Sequence, residues 1–411
     1  AEREKIGDQV FNIVLNAPKR SNYPYQEPSD LDSIRELRPQ NRYVPTGRIP
    51  EEDVLQNRVF GAWLGRICGC LLGKPIEGIR TDELNQLLSA CGNRPLYRYL
   101  EESDITPELC NTLSFRLRGK AYADTVPCAP VDDDTNYTVL SWVLIDKYGR
   151  DFTPYDVTLV WLDYQPKNAY CTAERVAYRN FVAGYRPPYS AQYKNPYREW
   201  IGAQIRGDYY GYINPGNPEA AAEMAWRDAC ISHTGNGIYG EMYVAAMIAT
   251  AAVETDLEKI VEAGLGQIPE KCRLAEGIRE ILGKFRAGVS ERDCFRYIHS
   301  RFDERNTYDW CHVISNAMIV TAALLWGSGN YSRSICMAVE TGFDTDCNGA
   351  TVGSVLGMRN GADCVGQQWR KPLNGMLETS IFGVGKVSIR EMAVRTMAHM
   401  PWRGEESHEA E

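Results

Sequence analysis

The chain carries only five histidines and no Cys-x-x-Cys pair, so a zinc centre built from those residues has little to draw on. Basic excess is missing too. Lys and Arg number 45 against 54 Asp and Glu, giving a formal charge of −9 and a pI near 5.3. That balance argues against a surface that tracks phosphates, so nucleic acid is not an expected partner. We read no segment as reaching the ~18 apolar residues that a membrane helix needs, and no membrane partner is expected. The N-terminal AEREKIGDQVFNIV lacks the basic start and apolar run of a secretory signal. The thirteen cysteines are scattered singly apart from Cys68 and Cys70, and an odd, dispersed set reads as reduced core thiols in the cytoplasm. Alternating apolar and polar runs with hairpin turns are absent, which removes the main signal for sheet.

What the sequence has is length, apolar residues and helical periodicity. With 411 residues, 44% of them hydrophobic, it can bury a large core. Apolar positions recur at helical spacing over 57–72, 136–148, 218–230, 240–254, 273–285, 312–326 and 331–341. The expected fold is therefore all-α, with an N-terminal extension over 1–50 and a helical domain over 51–411. The proline-containing extension either packs on the domain or stays partly loose. The Tyr, Pro, Gly and Asn-rich stretch 184–217 suits a long ordered loop of the kind that covers a cleft, with Trp200, Arg206, Asp208, Tyr209 and Tyr210 as candidates to stack on a flat base.

Gly61, Gly65, Gly69 and Gly73 recur every four residues, as do Gly349, Gly353 and Gly357. Each glycine costs a helix up to ~1 kcal/mol relative to alanine, so two such stripes call for close approach of two helix backbones.

Two acidic runs precede helical segments: Asp132-Asp133-Asp134 in PVDDDTNYTVL, and Asp344 with Asp346 in GFDTDCNGATVG. One aspartate at a helix start is an ordinary cap, but three in a row exceed what capping can use. Adjacent carboxylates repel one another unless a cation is present, and a hard divalent ion such as Mg²⁺ takes oxygen ligands of this kind. Together the runs can hold a pair of metals between two helix ends.

The ordered set GAWLGRICGCLLGKPIEG, PVDDDTNYTVL, SHTGNGIYGEMYVAAMIATA and GFDTDCNGATVGSVLG, spanning roughly 55–365, resembles the ADP-ribosylglycohydrolase family, also called the dinitrogenase-reductase-activating glycohydrolase type. The resemblance implies a single orthogonal helical domain with two Mg²⁺ (or Mn²⁺) ions at the bottom of a cleft. It implies metal ligands at Asp132, Asp133, Asp134, Asp344, Asp346 and Cys347, and a counterpart of the family glutamate at Glu77. It implies cleavage of an N-glycosidic bond to ribose in an ADP-ribosyl protein or a smaller ADP-ribose or nucleoside-like compound. The base is then one of Asp133, Asp134 and Asp344, with Glu77 near the leaving group, and His233, Asn236, Gly237 and Tyr239 contact substrate. A lone loop histidine such as His233 also has a purely structural reading, and His312 with Asn316 suits a buried hydrogen-bond network. Three positions depart from the family pattern: Asp132 replaces a hydroxyl, Cys347 replaces Thr or Ser, and Cys70 follows Gly69 where Asp is usual. Either the second metal is held more weakly or water replaces the missing hydroxyl. The rival expectation is a non-catalytic member of the fold, crystallin-like or ADP-ribose-binding.

Overall fold

The computed structural model describes residues 2–401; Ala1 and 402–411, which include His408 and the end of the expected 51–411 domain, lie outside the described residues. Helices used below are numbered in chain order. They are α1 (Glu2–Leu15), α2 (Leu31–Glu36), α3 (Glu52–Gly73), α4 (Asp133–Tyr148), α5 (Thr172–Val182), α6 (Asp208–Tyr212), α7 (Pro218–Ala229), α8 (Asn236–Ala251), α9 (Arg273–Arg286), α10 (Val313–Gly327), α11 (Tyr331–Glu340) and α12 (Thr345–Asn360). The strands among the described residues are one short antiparallel pair, Met376–Glu378 with Lys386–Ser388. The chain is all-α.

The glycine stripes explain the centre of the fold. Helices α3 and α12 run antiparallel with Gly61 against Gly357, Gly65 against Gly353 and Gly69 against Gly349, and a Cβ on any of these six would collide with the opposing carbonyl oxygen. The absence of side chains lets the backbones touch along three helical turns, which fixes both the register and the spacing. Helix α12 also contacts α8 and α10. All of α8, and α10 apart from Trp326, is buried, as expected of helices apolar around most of their circumference.

Two expectations change here. Glu52–Ile76 is long and apolar enough to cross a membrane by length and composition, but 89% of its apolar window is buried inside the protein. Arg66, within that apolar stretch, is itself fully buried between carboxylates. The stretch 184–217 is not one long loop: it forms short helices and turns, and its second half is buried in the core. Tyr209, Tyr210 and Tyr212 on α6 are fully buried, with the Tyr212 ring 5.7 Å from that of Trp63 and its hydroxyl 2.6 Å from Ser354.

The extension is tethered beyond α1. Gln26 N–H donates to Lys271 O at 2.7 Å, Glu27 pairs with Arg273 at 2.9 Å, and the Trp226 indole donates to Ser29 O at 2.9 Å. Ile34 on α2 is buried, and Arg38 reaches Gln267 O and Glu219. Helix α1 buries no residue.

Candidate active site

The helix pair delivers one half of the site. Because α3 and α12 are antiparallel, the start of α12 lies at the end of α3, where Thr345 Oγ1 donates to Gly73 O at 2.9 Å and a Cβ on Gly73 would strike the backbone of Thr345 and Asp346. Past Gly73 a single 3₁₀ turn carries Lys74 and leads to Glu77. Before α12, Gly342 and Phe343 have φ of 79° and 58°. A non-glycine residue in that left-handed region is strained, and the surroundings hold it there. Trp310 Nε1 donates to Phe343 O at 2.7 Å, while Asn316 Oδ1 accepts from Asp344 N at 3.2 Å and from Asn348 Nδ2 at 2.8 Å. Asp344 occupies the N-cap position without making a side-chain cap. Capping therefore does not account for it.

The other half is the start of α4. Asp132 does cap, its Oδ1 accepting from Asp134 N at 2.9 Å, and its Oδ2 pairs with Lys74 Nζ at 2.5 Å. Asp134 Oδ1 pairs with Arg66 at 3.0 Å, and Arg66 also pairs with Asp208 at 2.9 Å. Asp134 Oδ2 and Asp346 Oδ1 are buried and have no partner among the described residues. Such groups are costly to leave unmatched.

The two halves meet. Ligand atoms of Asp134, Asp346 and Cys347 lie within 4.8 Å of one another, as do those of Glu77, Asp344 and Asp346, and those of Cys70, Asp132 and Asp134. Burial, then mutual repulsion, pushes Asp346 well above the ordinary carboxylate range; burial does the same to Asp134 against the pull of Arg66. Asp133 is raised by burial and by Asp132, and Asp344 is raised by burial. Glu77 is open to solvent at the rim, yet protein atoms surround it on the concave side, and this desolvation, followed by Asp344 and Asp132, pushes it to about 7. Six carboxylates facing two resident cations form a donor set that fits divalent metal. Asp132 fits least, since both its oxygens are engaged, and Asp133 lines the cleft outside the three groupings.

Glu77, Asp132, Asp133, Asp344, Asp346 and Cys347 floor a cleft of about 610 Å³ whose walls include Asn136, Glu174, Trp200, Gly202, Trp310 and Cys311, and Asp134 is buried beneath it. Glu174, on α5, went unnoticed in the sequence because nothing local marks it. Arg206 Nη1 donates to it at 2.8 Å, and a Cβ on Gly202 would strike its carboxylate. The glycine makes room for a fixed acid on the cleft wall.

Several expected contacts lie elsewhere. Of the residues considered for stacking, Trp200 lines the cleft, whereas Arg206, Asp208, Tyr209 and Tyr210 are buried in ion pairs or core. The substrate contacts expected at His233, Asn236, Gly237 and Tyr239 are not part of the lining. His233 is buried behind Glu174 at 3.9 Å, Asn236 bonds Glu199 and Leu274 N, Gly237 packs on Arg198 O, and Tyr239 donates to Pro28 O in the extension. The turn before α8 faces the docked extension, which sequence spacing could not reveal. His312 caps α10 through Ile314 N, and Asn316 bonds Trp310 O and His312 O, the buried network expected.

The pattern of the ADP-ribosylglycohydrolase family matches residues 51–405. Among solved structures, a chain from an "ADP-ribosylglycohydrolase-related protein complex" is similar at 17% identity and a TM-score of 0.51, covering 84% of this chain and 98% of that one, a likeness of fold. No curated protein matches significantly. With the family pattern spanning the glycine-zippered pair, both acidic runs and the cleft between them, this chain belongs to the ADP-ribosylglycohydrolase family.

Proposed function

We propose that the protein is a metal-dependent hydrolase that cleaves the N-glycosidic bond between ribose and a leaving group, within the glycohydrolase chemistry and ADP-ribosyl-type substrates of its family. The observation that carries this reading is the pair of unpartnered, buried oxygens supplied by two distant runs, Asp346 Oδ1 on a cleft-lining residue and Asp134 Oδ2 on its buried neighbour beneath the floor. Asp134, Asp344 and Asp346 would hold divalent ions, Mg²⁺ or Mn²⁺ by the sequence reading. Once bound, such ions supply positive charge that draws in the ribose hydroxyls and acidifies water.

The chain's own residues do the rest. Cleavage at C1′ develops oxocarbenium character, which the surrounding carboxylates stabilise electrostatically. Glu77, at the cleft rim, is placed to take a proton from attacking water or give one to the leaving group. Trp200 and Trp310 add aromatic walls to the cleft. The crystallin-like alternative has no observation in its favour, because all five aspartates are present.

The test is release of free ADP-ribose from ADP-ribosyl-arginine protein, and of free ribose or ribosyl product from smaller N-ribosides, by chelator-treated protein with and without added divalent ion. Metal-dependent release that Asp346→Asn abolishes supports the proposal. Release that survives chelation, or none from any N-riboside, sinks it.

A further inference from the structure

The donor atoms around the acidic floor are not all oxygens. Cys347, 6% exposed and on the cleft lining, shares a grouping with Asp134 and Asp346; Cys70, 3% exposed and beneath the floor, shares another with Asp132 and Asp134. Only the grouping at the rim, Glu77 with Asp344 and Asp346, consists of oxygens alone. A third thiol, Cys311, donates to Asp344 Oδ2 at 3.6 Å. The two sulfur-containing groupings meet at Asp134, whose Oδ2 is fully buried and unpartnered, and Asp346 Oδ1 is likewise buried and unpartnered beside Cys347. Neither helix capping nor the resident cations satisfy those oxygens: Arg66 takes the other oxygen of Asp134, and Lys74 takes Asp132.

A neutral thiol between two buried carboxylates contributes little by itself, and in an all-oxygen Mg²⁺ site it would leave one coordination position poorly filled. Mg²⁺ demands oxygen ligands in near-octahedral array, whereas Zn²⁺ and neighbouring transition metals accept thiolate and carboxylate together. We propose that Cys347 is a metal ligand with Asp134 and Asp346, and that this inner position selects a thiophilic divalent ion such as Zn²⁺, Fe²⁺ or Co²⁺ over Mg²⁺, while Cys70, in the separate grouping with Asp132, stays outside it. On binding, the Sγ–H bond of Cys347 breaks, its proton leaves to solvent, and the sulfur lone pair forms the bond to the ion with no change in oxidation state. On the rim side the oxygens of Asp344 and Asp346 remain available to a hard ion, with Glu77 left for proton transfer. The inference rests on the metal-dependent reading above and refines which metal the inner position takes.

Cobalt reports sulfur ligation directly, independent of turnover. Chelator-treated full-length protein is titrated with Co²⁺ while absorption is recorded. The expected result is an intense near-ultraviolet sulfur-to-cobalt charge-transfer band that Zn²⁺ abolishes stoichiometrically and a ~1,000-fold excess of Mg²⁺ leaves in place. Cys347→Ser should remove the band while the weaker visible bands of oxygen-bound cobalt persist, and Cys347→Thr should lose it too and gain about tenfold in Mg²⁺ affinity. Cys294→Ser, in a helix core away from the site, should leave it intact. The wild-type spectrum decides whether a sulfur ligand exists, so the inference stays falsifiable even if a variant fails to fold. Cobalt bound without the charge-transfer band, or a band unchanged in Cys347→Ser, overturns the sulfur ligand and leaves the hydrolase reading standing. No binding of any divalent ion overturns both.

Discussion

The two acidic runs look alike in sequence and differ in what surrounds them. At the start of α4, Asp132 caps the helix and pairs with Lys74, and Asp134 shares Arg66 with Asp208. At the start of α12, Asp344 caps nothing, and no resident cation pairs with Asp344 or Asp346 among the described residues. One run is half neutralised by the protein; the other awaits a charge from outside. A buried carboxylate needs a counter-charge wherever it lies, and the source of that charge separates scaffold from site.

Breaking the unpaired half of that contrast should have the largest effect. Asp346→Asn is expected to lower turnover of an N-riboside by ~10³-fold or more, while the metal-free protein melts no lower than the parent because an uncompensated buried charge has gone. Calorimetric melting with and without divalent ion checks both halves. On the neutralised side, Arg66→Met strands Asp134 and Asp208 without their cation, and about 3–5 kcal/mol of stability should be lost in denaturant unfolding. The frame comes next: Gly65→Ala pushes α3 off α12 and should cost about 1–3 kcal/mol, with loss of metal affinity in step because the helix ends separate. Lys74→Met sharpens the comparison instead, since freeing Asp132 makes the two runs more alike; about tenfold tighter divalent-ion binding is expected by isothermal titration.

The smallest effect is in pH. Glu77 is raised to about 7 in the fold, chiefly by desolvation and then by Asp344 and Asp132. Between its unfolded value near ~4.3 and about 7 the folded state holds the extra proton, so stability is highest below the unfolded value and falls as pH rises through that window. In metal-free protein, Glu77→Gln should flatten that slope between pH ~4.5 and ~7; an unchanged slope would assign it to the other raised carboxylates.

Much of this was legible in the chain. The four-residue glycine spacing announced two backbones in contact, and Gly65 on Gly353 is that contact. The excess of aspartates over capping needs pointed to a shared cation, and the two runs do converge on one floor. What stayed hidden depended on partners remote in sequence. The role of Arg66 in the apolar helix shows only once Asp134 and Asp208 close on it. Glu174 became visible only with Arg206 behind it and Gly202 making room. His233, Asn236, Gly237 and Tyr239 mark a helix start, but sequence spacing does not say which surface lies across from it, and here that surface is the docked extension.

The most direct measurement is isothermal titration of a divalent ion, then ADP-ribose, into chelator-treated protein beside its Asp344→Asn variant. The account predicts up to two ions bound per chain, ADP-ribose affinity that appears only once metal is present, and loss of both in the variant. ADP-ribose binding that ignores metal, or metal binding that ignores Asp344→Asn, would contradict it.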